Sequence, residues 1–544
     1  MRWAICAVTL LALAFLLLRA GRAGLAGDYI DPVGRIGAQD ESLYSNSAIH
    51  MAEEGNWLTP MFLGRYGLYK PPLEMCAAGL AVRILGISRL ALRLPTALFA
   101  AFAVSLVFLW GAELRNPWIG ACAAALVVSN HLWHVLCGMC ITDGFLVAFT
   151  VAAMYCLYAD PWLESKGWLW GFAGAVAGGI LTKSVAGVLP LGMLGLYWLA
   201  APRNHRPRFR RVVLAAALAL ALAAPWFLYQ AAVHGRWFWA EHVQVEILAF
   251  GTGQPPQTSQ ENPALFYTMR LALLDPVLLS AAAIALPWFV KDVLRRSAPS
   301  VLLLCWMAPV AGSVLFWQYR NASYLLPLVP ALAILGAAYG PLASARYARW
   351  TLVLLAVALA AKVSSPGAPW GLSFRGGSAF PSQRVLSDYC ERGRGNELVL
   401  VDADEELYAS VLPLPRVRYG FVGAAPPPGE YSLDFPYMGI MLNAEQFIHL
   451  SQWTPIFRRH LREWGLDSAA PIGSVVFAPT PKDLAEIVRA HPESDFSIPQ
   501  RYRAAVAPAA QATHDVVTVA PDRFMLLSRQ AVPRGDPARW SCRL

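Results

Sequence analysis

The sequence predicts a polytopic α-helical membrane protein of about eleven spans, up to thirteen, followed by a soluble α/β domain outside the cytoplasm. Three observations predict it. Of the 544 residues, 57% are hydrophobic and only 15% charged, far from an average water-soluble domain. Apolar runs recur from Trp3 to Ser364, each of roughly twenty residues, enough at about 1.5 Å per residue to cross roughly 30 Å of hydrocarbon. Between them, Lys and Arg concentrate in alternate short loops.

The first run, Trp3–Leu18, follows Arg2 and reads as a signal peptide or a first span; in both cases the chain then emerges outside. Residues 21–90 form a long outer loop with two or three amphipathic stretches. Spans follow near 91–111, 117–137, 144–159, 168–182, 185–200, 212–230, 265–290, 300–317, 323–342 and 350–364. The alternate loops test this count, because cytoplasmic connections collect basic residues. The inner ones hold Arg115, then Lys166, then Arg203, Arg206, Arg208, Arg210 and Arg211, then Lys291, Arg295 and Arg296, then Arg346 and Arg349. The outer side contains residues 21–90, Asp143, Lys183, residues 231–264 and Tyr319–Ser323.

After residue 364 the long apolar runs stop, and Ser365–Gly377 is a Pro/Gly-rich linker. The expected division is a transmembrane catalytic domain over 1–364 and a soluble α/β domain over 365–544. In the latter, Glu397–Val401, Gly473–Phe477, Asp515–Val519 and Phe524–Leu527 read as strands, and Lys482–Ala490 as a helix after Thr480-Pro481.

Composition and motifs also exclude. The formal charge of +9 lies in short clusters between apolar runs, the pattern of membrane topology rather than of a nucleic-acid-binding face. The nine cysteines lie mostly inside apolar segments. Cys137-x-x-Cys140 reads as two packing residues, since a redox motif needs a thioredoxin-like βαβ context. No zinc-ligand spacing, Walker loop, dinucleotide fingerprint or repeat of 20–50 residues is present.

Ionisable groups at predicted outer ends are the candidates for chemistry. Asp40 and Glu41 precede a helix-compatible stretch, Ser45–Trp57, where helix capping competes with catalysis as their role. In Tyr69-Lys70-Pro71-Pro72-Leu73 two prolines stiffen the backbone beside a lysine that can hold a phosphate or snorkel at the interface. Asp143, in Cys140-Ile-Thr-Asp-Gly144, is a carboxylate at the edge of apolar segments, a functional position or a helix cap. Lys183 reads more readily as a snorkelling residue than as a site group, and Arg320 lies in Tyr319-Arg-Asn-Ala-Ser-Tyr324. In Trp237-Phe-Trp-Ala-Glu-His-Val-Gln244 the aromatics suit an interfacial belt, while Glu241 and His242 offer acid/base or metal-ligand capacity.

Taken in order, Asp40-Glu41-x-x-Tyr44, Gly55-Asn-Trp57, Lys70-Pro-Pro-Leu73, Arg93-Leu-Pro95, Thr142-Asp143, Leu181-Thr-Lys183, Trp239-x-Glu-His242 and Tyr324-Leu-Leu-Pro327 resemble the GT-C glycosyltransferases. The resemblance is strongest to the branch of the lipid A aminoarabinose transferases and bacterial relatives of the protein O-mannosyltransferases, and spans about residues 1–340. It implies a bacterial inner-membrane enzyme, active on the extracytoplasmic face. Such an enzyme moves a sugar, with inversion, from a polyprenyl-phosphate donor to a lipid, glycan or protein acceptor. Its site residues map to Asp40, Asp143 and Glu41 as catalytic carboxylates, and to Lys70, Arg320, Tyr324, Tyr44, Lys183 and His242 as substrate contacts.

No cofactor is required by this reading. In the aminoarabinose transferases an acid precedes the lysine and shares a metal site with the histidine; here that position is Tyr69, which weakens a divalent metal at His242. Those relatives also continue the His242 stretch with an arginine, where this chain has Val245 and then Glu246. The competing reading is a transporter or lipid flippase, which predicts ionisable groups near the middle of spans; an assembly scaffold leaves the ordered first-loop motifs unexplained.

Overall fold

The computed structural model describes residues 2–20, 38–62, 65–235, 238–249, 262–316, 320–340, 343–366, 368–372, 397–402, 417–422 and 475–530. Among them, eight helices are long and apolar enough to cross a membrane. They are α1 (Arg2–Ala20), α4 (Arg89–Leu114), α7 (Thr142–Ala159), α8 (Lys166–Ala200), α9 (Phe209–His234), α11 (Pro276–Leu294), α12 (Ala298–Phe316) and α14 (Ala345–Ser364). The segment between α1 and α4 contributes α2 (Ala38–Glu54), the short antiparallel strands β1 (Met61–Phe62) and β2 (Arg65–Tyr66), and α3 (Leu73–Leu85). Many large apolar side chains on these helices are exposed, Leu228, Leu294 and Leu354 among them, because lipid rather than water is the solvent they meet.

Several expected spans are composite, and the breaks have local causes. Residues 117–137 form α5 (Pro117–Val128) and α6 (His131–Leu136). The side chain of Asn130 accepts from Trp133 N and restarts the helix. Residues 265–290 divide into α10 (Pro263–Leu274) and α11 at Asp275-Pro276, where the Asp275 carboxylate caps Leu278 N and proline occupies the first helical position. Residues 322–338 begin as a 3₁₀ turn, Ala322–Leu328, and continue as α13 (Val329–Ala338). Pro327 and Pro330, which lack N–H donors, sit at that junction.

The α8 segment is folded back on itself. Lys183 and Ser184 leave helical geometry, with φ +40° at Ser184, a conformation costly for a non-glycine residue. In a straight helix residues eight apart stand about 12 Å apart. Here a Cβ on Gly179 would lie 3.3 Å from the Gly187 Cα, and a Cβ on Gly187 would overlap the Gly179 carbonyl carbon and the Ile180 nitrogen. The two arms touch backbone to backbone, so this helix supplies the separate spans expected at 168–182 and 185–200. With those arms and the composite segments 117–136 and 322–338 counted individually, the eight long helices become the eleven expected crossings. Gly187→Ala is expected to open the hairpin, lowering the melting temperature in detergent and displacing Lys183. A variant as stable as the parent would contradict the close approach.

Contacts sort the helix ends into two groups. At one end, Arg115 Nε donates to Ala338 O at 3.0 Å, Arg349 stacks 4.8 Å from the Trp118 ring, and Trp162 Nε1 donates to Asn204 O. These are the loops rich in Arg and Lys. At the other end α14 is tied down by Lys362, whose Nζ donates to Ser129 O at 2.6 Å and to Asp275 Oδ1 at 2.9 Å. Asn130 Nδ2 holds the second Asp275 oxygen at 2.6 Å, so this buried ion pair has its remaining acceptor satisfied.

The C-terminal region contains a six-stranded mixed sheet, β3 (Leu398–Val401), β4 (Val417–Val422), β5 (Val475–Ala478), β6 (Asp495–Pro499), β7 (His514–Ala520) and β8 (Arg523–Ser528). Their spatial order is β5-β4-β3-β6-β8-β7, with the first four parallel and β8 and β7 antiparallel. Beyond the expected strands it includes β4 and β6, short runs of six and five residues; β6 does alternate polar and apolar residues in Asp495-Phe-Ser-Ile498. The helix expected at 482–490 runs Pro481–Ala490 and starts with a Thr480/Asp483 capping box. The two-residue period of a strand divides the sheet between two cores. Leu398, Leu400 and Met525 join the core shared with the membrane helices, while Val399, Val401 and Phe524 pack with Leu484, Val488 and Val506.

Candidate active site

At the end of the bundle opposite the basic loops, four segments converge. The first is the turn Leu68–Lys70, made rigid by Pro71 and Pro72 and leading into α3. The second is the α6–α7 loop, Cys137–Asp143. The third is the tip of the α8 hairpin, and the fourth is a π-helix, Trp239–Ala249, a rare form that recurs at functional sites.

The hairpin tip aims Lys183 at Asp143. Its Nζ donates to both carboxylate oxygens at 2.9 Å and stands 5.6 Å from the centre of the Tyr324 ring. Lys183 therefore does not snorkel away from the bundle; it is 13% exposed, and Asp143 7%. Asp143 can sit so deep because Gly144 follows it, where a Cβ would overlap the Thr96 methyl on α4. Thus an acid and a base 40 residues apart, each costly to bury alone, neutralise one another.

The next residue on the hairpin, Ser184, binds the π-helix. Its Oγ lies 3.0 Å from His242 Nε2, and His242 Nδ1 lies 2.9 Å from the Leu68 carbonyl. A carbonyl only accepts, so Nδ1 carries the proton and Nε2 receives the serine hydroxyl. Burial lowers the His242 pKa to about 4, leaving the ring neutral at physiological pH, and it stacks on Phe238 at 5.0 Å. Both ring nitrogens are thereby engaged. Among the described residues no three His, Cys, Asp or Glu side chains gather as a metal-ligating group. Among the described side chains, this donor set does not fit a metal at His242.

One turn further along, Glu246 forms an ion pair with Lys70; the two side chains are 13% and 11% exposed. The departure from the aminoarabinose pattern noted in the sequence is thus in direct contact with the lysine expected to hold phosphate. Tyr69, the other departure, is buried with its ring against Tyr44 of α2, centroids 6.4 Å apart.

Beneath this layer lies a second carboxylate cluster. Glu41, fully buried in the first turns of α2, takes Arg93 Nε at 2.7 Å and Arg93 Nη2 at 2.8 Å, a bidentate pair, and accepts Cys140 N at 2.9 Å. Arg93 also donates to Ala20 O, tying α1, α2 and α4 to the loop that presents Asp143. Its neighbour Glu74 is fully buried at the start of α3 and accepts from Cys140 Sγ at 3.2 Å. Desolvation, reinforced by Glu41, raises the Glu74 pKa to about 8, so it is largely protonated at neutral pH. Cys140 is thus a packing and hydrogen-bonding residue, free rather than disulfide-bonded.

Of the expected site residues, Lys183 meets both Asp143 and Tyr324, and His242 meets the turn that carries Lys70. Tyr44 reaches that turn through Tyr69. Arg320 is half-buried four residues before Tyr324. Asp40 lies in the first turn of α2, but its side chain, like that of Glu241, is outside the described residues. Sequence reasoning missed Glu74, an ordinary acid on an amphipathic helix, and Ser184, whose only signal was its place beside Lys183.

Known proteins share sequence and fold with this chain. The family model described as dolichyl-phosphate-mannose-protein mannosyltransferase matches residues 38–238, the stretch from α2 to the π-helix. The undecaprenyl phosphate-alpha-4-amino-4-deoxy-L-arabinose arabinosyl transferase of Pectobacterium carotovorum is 25% identical over 324 residues, 55% of this chain and 54% of its own. This chain spans about half the length of the curated relatives it matches. Among solved structures, ArnT from Cupriavidus metallidurans bound to undecaprenyl phosphate aligns over 97% of this chain and 98% of its own, with a TM-score of 0.61 at 16% identity. The Archaeoglobus fulgidus oligosaccharyltransferase aligns over 76% and 64%, with a TM-score of 0.50 at 13% identity. The fold is therefore shared well beyond detectable sequence similarity: the chain is a multi-pass membrane protein with the GT-C fold of these structures, similar in sequence to the aminoarabinose transferases and, over residues 38–238, to the protein mannosyltransferase family.

Proposed function

We propose that this chain transfers a sugar from a polyprenyl-phosphate carrier to a lipid, glycan or protein acceptor at the extracytoplasmic face of the bacterial inner membrane. The observation that carries this reading is that the turn bearing Lys70 and the hairpin tip bearing Lys183, with its partners Asp143 and Tyr324, are joined through His242 at the end of the bundle opposite the Arg-rich loops. The positive-inside rule assigns the Arg-rich end to the cytoplasm and hence the site to the outside. Gathering the ionisable groups at one end, rather than at mid-span, favours surface chemistry over transport.

In the proposed reaction an acceptor hydroxyl oxygen attacks the anomeric carbon as the bond from that carbon to the carrier phosphate oxygen breaks. The bonding pair leaves with the phosphate, and attack opposite the leaving group inverts the centre. Asp40 takes the hydroxyl proton. The phosphate gains charge as it departs, and Lys70, together with Arg320 and Lys183, stabilises it in a site poor in water. Asp143, held by Lys183, orients the acceptor, and Tyr324, Tyr44 and His242 shape the pocket. Glu41 is a positioning residue, since both its oxygens are committed to Arg93.

Lys70→Ala is expected to weaken binding of undecaprenyl phosphate by about tenfold or more, the loss of one charge-assisted contact of roughly 1.5–3 kcal/mol. Transfer from synthetic polyprenyl-phosphate sugars falls with it. Unchanged carrier affinity would reassign Lys70 to interfacial anchoring.

A further inference from the structure

The carboxylate in contact with Lys70 gives the site a property of its own. Glu246 is not a chance surface acid: the helix that bears it is pinned over the Leu68–Lys70 turn by His242, through Leu68 O on one side and Ser184 on the other. With Lys70 it forms a mostly buried pair of zero net charge. Any phosphate that takes the ammonium must enter beside this carboxylate.

Resting on the assignment of Lys70 to the carrier phosphate, we propose that Glu246 governs discrimination between spent and loaded carrier. Its negative charge weakens the hold on the phosphomonoester left after transfer more than the hold on the phosphodiester of the sugar-loaded donor. The two lipids differ at this point by charge. A sugar-linked phosphodiester carries one negative charge, whereas a phosphomonoester carries about −1.5 to −2 at pH 7. Lys70 can balance one unit; the surplus on the monoester faces Glu246. For charges about 5 Å apart in a partly buried site, each added unit of repulsion costs more than about tenfold in affinity. Transfer creates that surplus when the anomeric bond breaks, so repulsion arises on the product and favours its release.

The test compares binding of undecaprenyl phosphate with binding of its non-reactive methyl phosphodiester by the full-length chain in lipid nanodiscs. Glu246→Gln is expected to tighten both, because competition for Lys70 is relieved, and to raise the monoester-to-diester affinity ratio by about tenfold. Glu246→Asp, which keeps the charge, is expected to keep the parental ratio. Both affinities come from one preparation, so any loss of folded protein cancels. A ratio unchanged or lowered by Glu246→Gln overturns the proposal, as does an Asp variant that shifts it as far as Gln. Lys70→Ala separates the two readings: if it binds both lipids as the parent does, the assignment of Lys70 itself fails. If it loses both while the Gln ratio stays parental, only the role of Glu246 fails.

Discussion

Asp40→Asn is expected to lower sugar transfer by about 10²–10⁴-fold while leaving carrier affinity near that of the parent. The asparagine keeps the size of the side chain and its hydrogen-bonding oxygen, so the substitution removes the basic charge and little else. Other carboxylates nearby are poor substitutes. Glu41 is enclosed by Arg93 and Cys140, Asp143 by Lys183, and Glu74 is fully buried with its pKa raised to about 8. Asp40 occupies the first turn of the same helix as Glu41. Turnover measured with a synthetic polyprenyl-phosphate sugar and purified protein checks this, and undiminished turnover removes Asp40 as the base.

Replacing Arg93 by Met is expected to cost about 3–5 kcal/mol of stability, because it leaves a buried carboxylate without its counter-charge. Glu41 and Arg93 are 0% and 1% exposed, so water cannot take over the lost hydrogen bonds. The alternatives for Glu41 are protonation or a shift of α2, and each disturbs Cys140 and hence the loop that presents Asp143. Thermal unfolding in detergent is expected to show a markedly lower midpoint for Arg93→Met. The double variant with Glu41→Gln is expected to recover much of the loss, since the uncompensated charge is then gone. A single variant as stable as the parent would mean that the pair is hydrated rather than buried.

Much of the architecture is legible along the chain. Apolar run lengths located the helices, but the runs 117–137 and 265–290 read as continuous spans, and only the structure shows them restarting at the side-chain caps Asn130 and Asp275. The separate reading of 168–182 and 185–200 anticipates the hairpin at Lys183. The site is legible only in part. Asp143 and Lys70 stand out because charge beside apolar segments is conspicuous, whereas Glu74 lies on a helix with ordinary amphipathic character, and Lys183 alone looks like an interfacial lysine.

What the sequence determined by itself is the solvent each segment meets. Hydrocarbon demands apolar residues in unbroken stretches and leaves no backbone group unsatisfied, so span positions and the basic end of the bundle are written locally. Only the tertiary structure decided the partners: Glu41 with Arg93, Asp143 with Lys183 and Lys70 with Glu246. Coulomb energy depends on distance through space and on burial, not on separation along the chain, so no local pattern could assign these pairs before the helices packed.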